Sequence, residues 1–292
     1  MTDAAVPPID VALVRRLIAA QFPQWSALPV AAVVPGGWDN RTFRLGADLS
    51  VRLPSAARYA AAVEKEARWL PVLAPLLPLP IPSVVAVGAP GEGYPFAWSV
   101  RDWLPGRIPV SEAIRSSIGF RDALAGFLSA LHSIPSAGGP VAGAHSFHRG
   151  ADLRVYERET LAAAHRLGEE DRERALAIWS RATLNPYTGP RRWFHGDIAT
   201  GNLLVADSGD LAAVIDFGTS GVGDPACDLV IAWNEFDASS RMAFLDRVAD
   251  DAAMVDRARG WALWKALITL DSPEPEKSEW ARRALATVLA DA

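Results

Sequence analysis

Apolar residues recur at helical spacing near the start of the chain. Val11, Val14, Leu17, Ile18 and Phe22 return to one side of a 3.6-residue period, and Asp10 stands where it can cap them. Pro23 ends the run. Short β-rich islands follow at 29–34 (PVAAVV), 42–46 (TFRLG) and 49–54 (LSVRLP), parted by GGWDN (36–40) and by Gly46-Ala47-Asp48. The helical period returns over 56–73, with Val63, Ala67, Leu70 and Leu73 aligned and Glu64, Lys65, Glu66 and Arg68 largely off that side. SVVAVG (83–88) and YPFAWSV (94–100) read as two further strands around a hairpin signal. Beyond WLPG (103–106) helical patterns dominate, over 117–134, 153–182 and 241–289, with strand-like islands only at 191–196, 202–206 and 211–217. This order predicts an α+β protein with a small antiparallel-sheet lobe over 1–102, a larger helical lobe over 103–292, and a cleft between them.

Composition narrows the chemistry. Of 292 residues, half are hydrophobic and 22% charged, enough apolar material for a large packed core. A net charge of −5 offers no basic surplus for tracking a phosphate backbone, so no nucleic-acid partner is expected. Cys227 is the sole cysteine, which excludes an internal disulfide framework and a thiolate zinc site. No run approaches the ~18 uninterrupted apolar residues of a membrane span, and the N-terminus lacks a basic-then-apolar leader. A soluble, cytoplasmic protein with no membrane partner is the expectation. Lysine occurs only at Lys65, Lys265 and Lys277, so arginine supplies the other 26 of 29 basic residues. A site that ordinarily takes lysine can therefore hold arginine here.

The stretch WFHGDIATGNLLVADSGDLAAVIDFG (193–218) carries the candidate chemistry. Asp197 follows His195 and Gly196 after a strand-like run, Asn202 comes five residues later, and Asp216 ends an apolar strand where an unpartnered acid is costly. Such a set offers one base and two oxygen ligands for a hard cation. Mg2+ takes few protein oxygens and completes its shell with water and phosphate, which suits phosphoryl transfer.

HGDIATGN, the following IDFG and then GVGDPACDL (221–229) resemble, in order, the catalytic loop, the metal-binding loop and its continuation in the aminoglycoside phosphotransferase family, part of the protein-kinase-like superfamily. The resemblance implies a two-lobed protein-kinase-like fold with the nucleotide held by the first lobe. It implies Asp197 as the catalytic base, Asn202 and Asp216 as Mg2+ ligands, and ATP or GTP as co-substrate. It also implies that His195 braces its loop, and that Asp224 and Asp228 are structural supports, with Asp228 at the start of the apolar helix LVIAWNEF.

In the first lobe, Gly36 and Gly37 of GGWDN permit close backbone approach to phosphates, although an ordinary hairpin turn explains the same residues. Arg52 sits where a kinase strand presents its phosphate-binding lysine, and Glu66 matches the acid paired with that cation. A forked guanidinium is not a point charge. Arg52 therefore does the lysine's work, or leaves the phosphates to metal and backbone, or is a surface arginine on an edge strand. Glu64 competes with Glu66 as the partner. The inter-lobe segment SVRDWLPG implies nucleobase recognition by backbone groups from Asp102 to Leu104. Trp261 and Trp264 read as core, Cys227 as an inert small side chain, and His132 as a packed imidazole or helix-end cation.

These readings converge on a kinase transferring a γ-phosphate to a hydroxyl of an aminoglycoside-like or other small acceptor. A cationic acceptor would be drawn by acids of the second lobe such as Asp228, Glu235, Asp237, Asp271 and Glu274. The alternatives are a kinase of a macrolide, choline, homoserine or sugar-type metabolite, and a nucleotide-binding module that has lost catalysis.

Overall fold

The computed structural model describes residues 8–34, 36–37 and 39–291. Trp38 of the GGWDN turn lies outside the described residues. The chain packs as two compact units. One holds the described residues up to Pro105 together with Ala213–Gly218; the other holds Gly106–Ala212 and the described residues from Thr219 onward.

In the first unit, α1 (Val11–Gln21) starts where Asp10 Oδ1 accepts the Leu13 amide at 2.8 Å, satisfying one of the free N–H groups of the first turn. The strands β1 (Val30–Ala32), β2 (Asn40–Leu45) and β3 (Leu49–Pro54) precede α2 (Ala57–Leu73), and β4 (Val84–Gly88) and β5 (Trp98–Asp102) follow it. They form one antiparallel sheet in the order β1-β2-β3-β5-β4. Alternation along the strands sorts the side chains. Phe43, Leu45, Val51, Leu53, Trp98 and Val100 join Leu13, Val14, Leu17 and Ile18 of α1 in one buried cluster. Arg52 and Arg101, each one residue out of phase with those apolar positions, are thereby directed to the other face, on the side packed by α2. β5 begins four residues later than the sequence pattern predicts. Gly91 and Tyr94 bridge to close the preceding turn, and Pro95 cannot donate to a ladder.

The second unit is built on α3 (Ser111–Ile114), α4 (Ile118–Ser133), α5 (Glu157–Ala164), α6 (Glu169–Leu184), α7 (Ile231–Asn234), α8 (Ala238–Val248), α9 (Ala252–Thr269) and α10 (Pro275–Ala290). The charged stretch read as one pattern over 153–182 divides at His165–Gly168, and 241–289 resolves into three helices. α9 is buried on nearly every side, from Met254 to Leu267. Its Gly260 admits close approach of α6, since a Cβ there would lie 2.4 Å from the Ala182 side chain. Short strands β6 (Arg192–Phe194), β7 (Leu203–Val205) and β8 (Leu211–Val214) fall within the expected islands. β9 (Gly221–Gly223), not anticipated, pairs antiparallel with β6. Among the described residues no helix is long and apolar enough to cross a membrane.

Candidate active site

In the first unit four charged side chains converge. Arg101 on β5 grips Glu66 with both arms, Nη1–Oε1 at 3.0 Å and Nη2–Oε2 at 2.7 Å, and all of these groups are buried. Arg52 on β3 lies 3.9 Å from Glu66 Oε1 but donates to Asp216 Oδ1 at 3.0 Å. Glu66 therefore pairs bidentately with Arg101 and more loosely with Arg52, the cation expected for it. The placement of Glu66 off the apolar side of α2 is corrected: it occupies the buried row with Val63, Leu70 and Leu73, while Glu64 is exposed. Burial would lower the Arg52 pKa, but Asp216 and Glu66 outweigh it and hold the guanidinium above its ordinary value. Asp216 has φ 66°, a left-handed conformation that few residues with a Cβ adopt. Lys65 donates to the Gly218 carbonyl at 2.7 Å, and burial pulls its ammonium down to about 8 against the opposing pull of Glu66 and Asp216.

Gly36 and Gly37 are exposed, with the Gly37 carbonyl accepting Arg41 Nη1 at 2.7 Å. In the 102–104 segment, the Asp102 N–H is committed to Ser83 O and the Trp103 N–H to Asp48 O. The Leu104 N–H has no protein partner among the described residues.

In the second unit the loop that carries His195, Gly196 and Asp197 hangs from a buried carboxylate. Asp228 is fully buried and accepts the His195 N–H at 2.9 Å and the Gly196 N–H at 2.7 Å, with His132 Nε2 3.1 Å from Oδ2. It is thus the acceptor for the loop rather than a helix cap; Asp224 caps that turn, receiving the Ala226 amide at 3.1 Å. Gly196 has φ 87°, and a Cβ there would meet Thr219 O at 3.0 Å and Arg149 Cβ at 3.1 Å. His195 is buried, and its Nδ1 accepts the Asp197 amide at 3.2 Å.

These contacts hold Asp197 in place. Asn202 Nδ2 donates to both Asp197 O (2.9 Å) and Asp197 Oδ2 (3.0 Å). Two acceptors on one side fix the amide orientation and turn Asn202 Oδ1 away from Asp197. Lys265 Nζ lies 2.7 Å from Asp197 Oδ1. Burial would raise this carboxyl, but the charge and hydrogen bond of Lys265, then Arg149 and His195, bring it down to about 2. Lys265 and Arg149 were not among the sequence candidates. Lys265 stands inside the helical pattern over 241–289, and Arg149 in the stretch between the patterns that end at 134 and begin at 153.

The acids proposed to attract a cationic acceptor have other engagements. Asp228 holds the loop, Asp237 caps α8 through the Ser240 amide, Asp271 pairs with Arg166 and Glu274 with Lys277. Glu235 is buried, which pushes its pKa up, and it receives Trp280 Nε1 at 3.4 Å.

A family model described as the phosphotransferase enzyme family matches residues 30–267. An Escherichia coli aminoglycoside 3'-phosphotransferase is 30% identical over 142 residues, 47% of this chain and 52% of that protein. The chain thus spans about half the length of the curated relative it matches. The GDP and kanamycin complex of APH(2")-IIia superposes with a TM-score of 0.73 at 20% identity, covering 95% of this chain and 98% of that one. Macrolide 2'-phosphotransferase MphH from Brachybacterium faecium gives a TM-score of 0.57 at 22% identity, covering 88% and 91%. The protein-kinase-like fold expected from the sequence is shared with these structures, and the match over most of the chain places the protein in the phosphotransferase enzyme family.

Proposed function

We propose that the protein is a kinase that transfers the γ-phosphoryl group of ATP or GTP to a hydroxyl of a small molecule. The observation that carries this is Asp197: an ionised carboxylate, 38% exposed at its side chain, with one oxygen held by Asn202 and the other by Lys265. A carboxylate with a pKa of about 2 is a poor proton sink in the ground state. Its task is to orient the attacking hydroxyl and to accept the proton late, as the bond to phosphorus forms. That suits a loose transition state in which positioning dominates.

Arg52 supplies positive charge for the nucleotide phosphates, and Arg101 holds Glu66 so that this acid does not fully neutralise Arg52. The Leu104 N–H is the donor left for a nucleobase edge. Among the described residues no three His, Cys, Asp or Glu side chains cluster to hold a metal alone. Taken each by itself, the donors suit Mg2+ carried in with phosphates: in the first unit Asp216 offers a carboxylate, and in the second Asn202 offers the amide oxygen left over from its bonds to Asp197. Mg2+ carried in this way would neutralise charge on the transferring phosphates.

The test is transfer of labelled γ-phosphate from MgATP and from MgGTP to a panel of hydroxyl compounds, with Asp197→Asn as control. Turnover that falls at least a hundredfold in the variant, at unchanged nucleotide affinity, is expected. Nucleotide binding without acceptor-dependent turnover across the panel would assign the chain to the inert binding module instead.

A further inference from the structure

Arg149 is a charge beside Asp197 for which the reaction above has no use. It follows Phe147 and His148, which both adopt left-handed backbone (φ 47° and 56°), a conformation with a cost for residues bearing a Cβ. That turn sets the Arg149 guanidinium 4.5 Å above the Trp264 ring, donating to Phe147 O at 3.0 Å and to the Tyr156 hydroxyl at 3.3 Å. Tyr156 in turn stacks on Trp264 at 4.2 Å and donates to Phe147 O. The guanidinium is thus pinned by an aromatic ring, a carbonyl and a phenol. Among the described residues no carboxylate forms an ion pair with it. Glu159 reaches the same ring through Trp264 Nε1 at 2.5 Å, but it is exposed and makes no pair with Arg149.

Arg149, Asp197, Trp264 and Lys265 line one crevice. Its free volume is only about 10 Å3, too small to enclose an acceptor, so one whose hydroxyl meets Asp197 would lie across its mouth. The Lys265 charge is answered by Asp197. Arg149 forms no ion pair among the described residues, so the crevice lining holds two cations against the one carboxylate of Asp197, the second cation on a half-buried mount.

A half-buried guanidinium lacking a carboxylate presents free N–H donors in the fork that matches carboxylate and phosphate oxygens. A polycation would instead bring ammonium groups against both Arg149 and Lys265. Resting on Asp197 as the acceptor end, we propose that Arg149 makes this subsite selective for acceptors bearing a carboxylate or phosphate close to the reacting hydroxyl, and against polycationic acceptors.

The test is calorimetric binding of four probes to the full chain: maltose (neutral), lactobionate (carboxylate), glucose 6-phosphate (phosphate) and kanamycin A (polycation). At least one anion should bind tenfold more tightly than kanamycin A, and whichever anion wins tells carboxylate from phosphate recognition. Arg149→Gln keeps an amide donor for the Phe147 carbonyl and should shrink that ratio at least fivefold; Arg149→Glu should shift it further toward kanamycin A. The ratio is the readout because the overall charge of −5 attracts a polycation generally, whichever residue stands at 149. Thermal melts check that both variants fold, and the wild-type order decides the matter if they do not. Tighter binding of kanamycin A by the wild type, equal binding of all four, or an unchanged ratio in a folded Arg149→Gln overturns the proposal. Failure of the parent reading looks different: nucleotide would then bind without acceptor-dependent transfer of phosphate, whatever the order of affinities.

Discussion

Lys265→Met removes the ammonium 2.7 Å from Asp197 Oδ1 while keeping an unbranched chain of similar length in α9. The Asp197 carboxyl stands at about 2, against an ordinary value of 3.8. At 1.36 kcal/mol per unit that gap corresponds to about 2 kcal/mol. The side chains are 38% and 25% exposed, so solvent screens the pair and its share of stability is nearer 1 kcal/mol. The carboxyl is depressed on folding, so its stabilisation is present above pH 3.8 and fades as pH falls toward 2. Without Lys265 the opposing push of burial prevails over Arg149 and His195, and the carboxyl returns to the ordinary range or above it. The assay is a carbon-detected titration of the Asp197 carboxyl, identified by its loss in Asp197→Asn, with urea midpoints compared at pH 6. Wild type should show no titration of this group down to about pH 3, whereas Lys265→Met should titrate near pH 4 and lose about 1 kcal/mol at pH 6. A midpoint shared by the two proteins would falsify the assignment of Lys265 as the group that holds Asp197 ionised.

Four further outcomes are expected. Asp228→Ala strands the buried N–H groups of His195 and Gly196 and should cost about 3 kcal/mol in urea unfolding, with Asp228→Asn costing less because one acceptor survives. Arg101→Met leaves Glu66 buried without its bidentate partner and should cost about 3–5 kcal/mol, much of it restored by adding Glu66→Leu. Lys65 is depressed on folding, so between pH 8 and its ordinary 10.5 the unfolded chain holds the extra proton and stability rises with pH; urea midpoints at pH 7.5 and 9.5 should diverge by less in Lys65→Met than in wild type. Asp216→Ala should abolish Mg2+-dependent binding of a fluorescent nucleotide while leaving the far-ultraviolet circular dichroism unchanged.

Local signals were strong enough to read α1, α4 and most of the first sheet directly. Asp10 caps where its side chain suggests, because an N-cap bond spans only three residues and needs nothing from the rest of the fold. Elements that depend on distant partners were not legible. β9 is a Gly-Val-Gly with no strand propensity of its own, and it exists because β6 offers a ladder. Glu66 was set outside the apolar side of α2 because periodicity counts a carboxylate as solvent-facing. Its burial depends on Arg101, 35 residues away on β5, which no local pattern reveals.

Lys265 shows where a signal was present but unweighted. α9 is enclosed on nearly all sides, so its sequence has no polar stripe and a lysine in GWALWKALITL looks like an interruption of the core. In a chain that otherwise uses arginine, however, a retained lysine asks for a reason. Lys65 and Lys265 donate from a compact ammonium to Gly218 O and Asp197 Oδ1 respectively, where a planar fork would need room for two more nitrogens. Lys277 is the counterexample, an exposed partner of Glu274 one helical turn away. Rarity alone therefore does not mark a site. Rarity within an otherwise buried helix does, because a charge held there must have an oppositely charged or strongly polar partner to offset its desolvation, and at position 265 that partner is the carboxylate to which the phosphoryl acceptor is assigned.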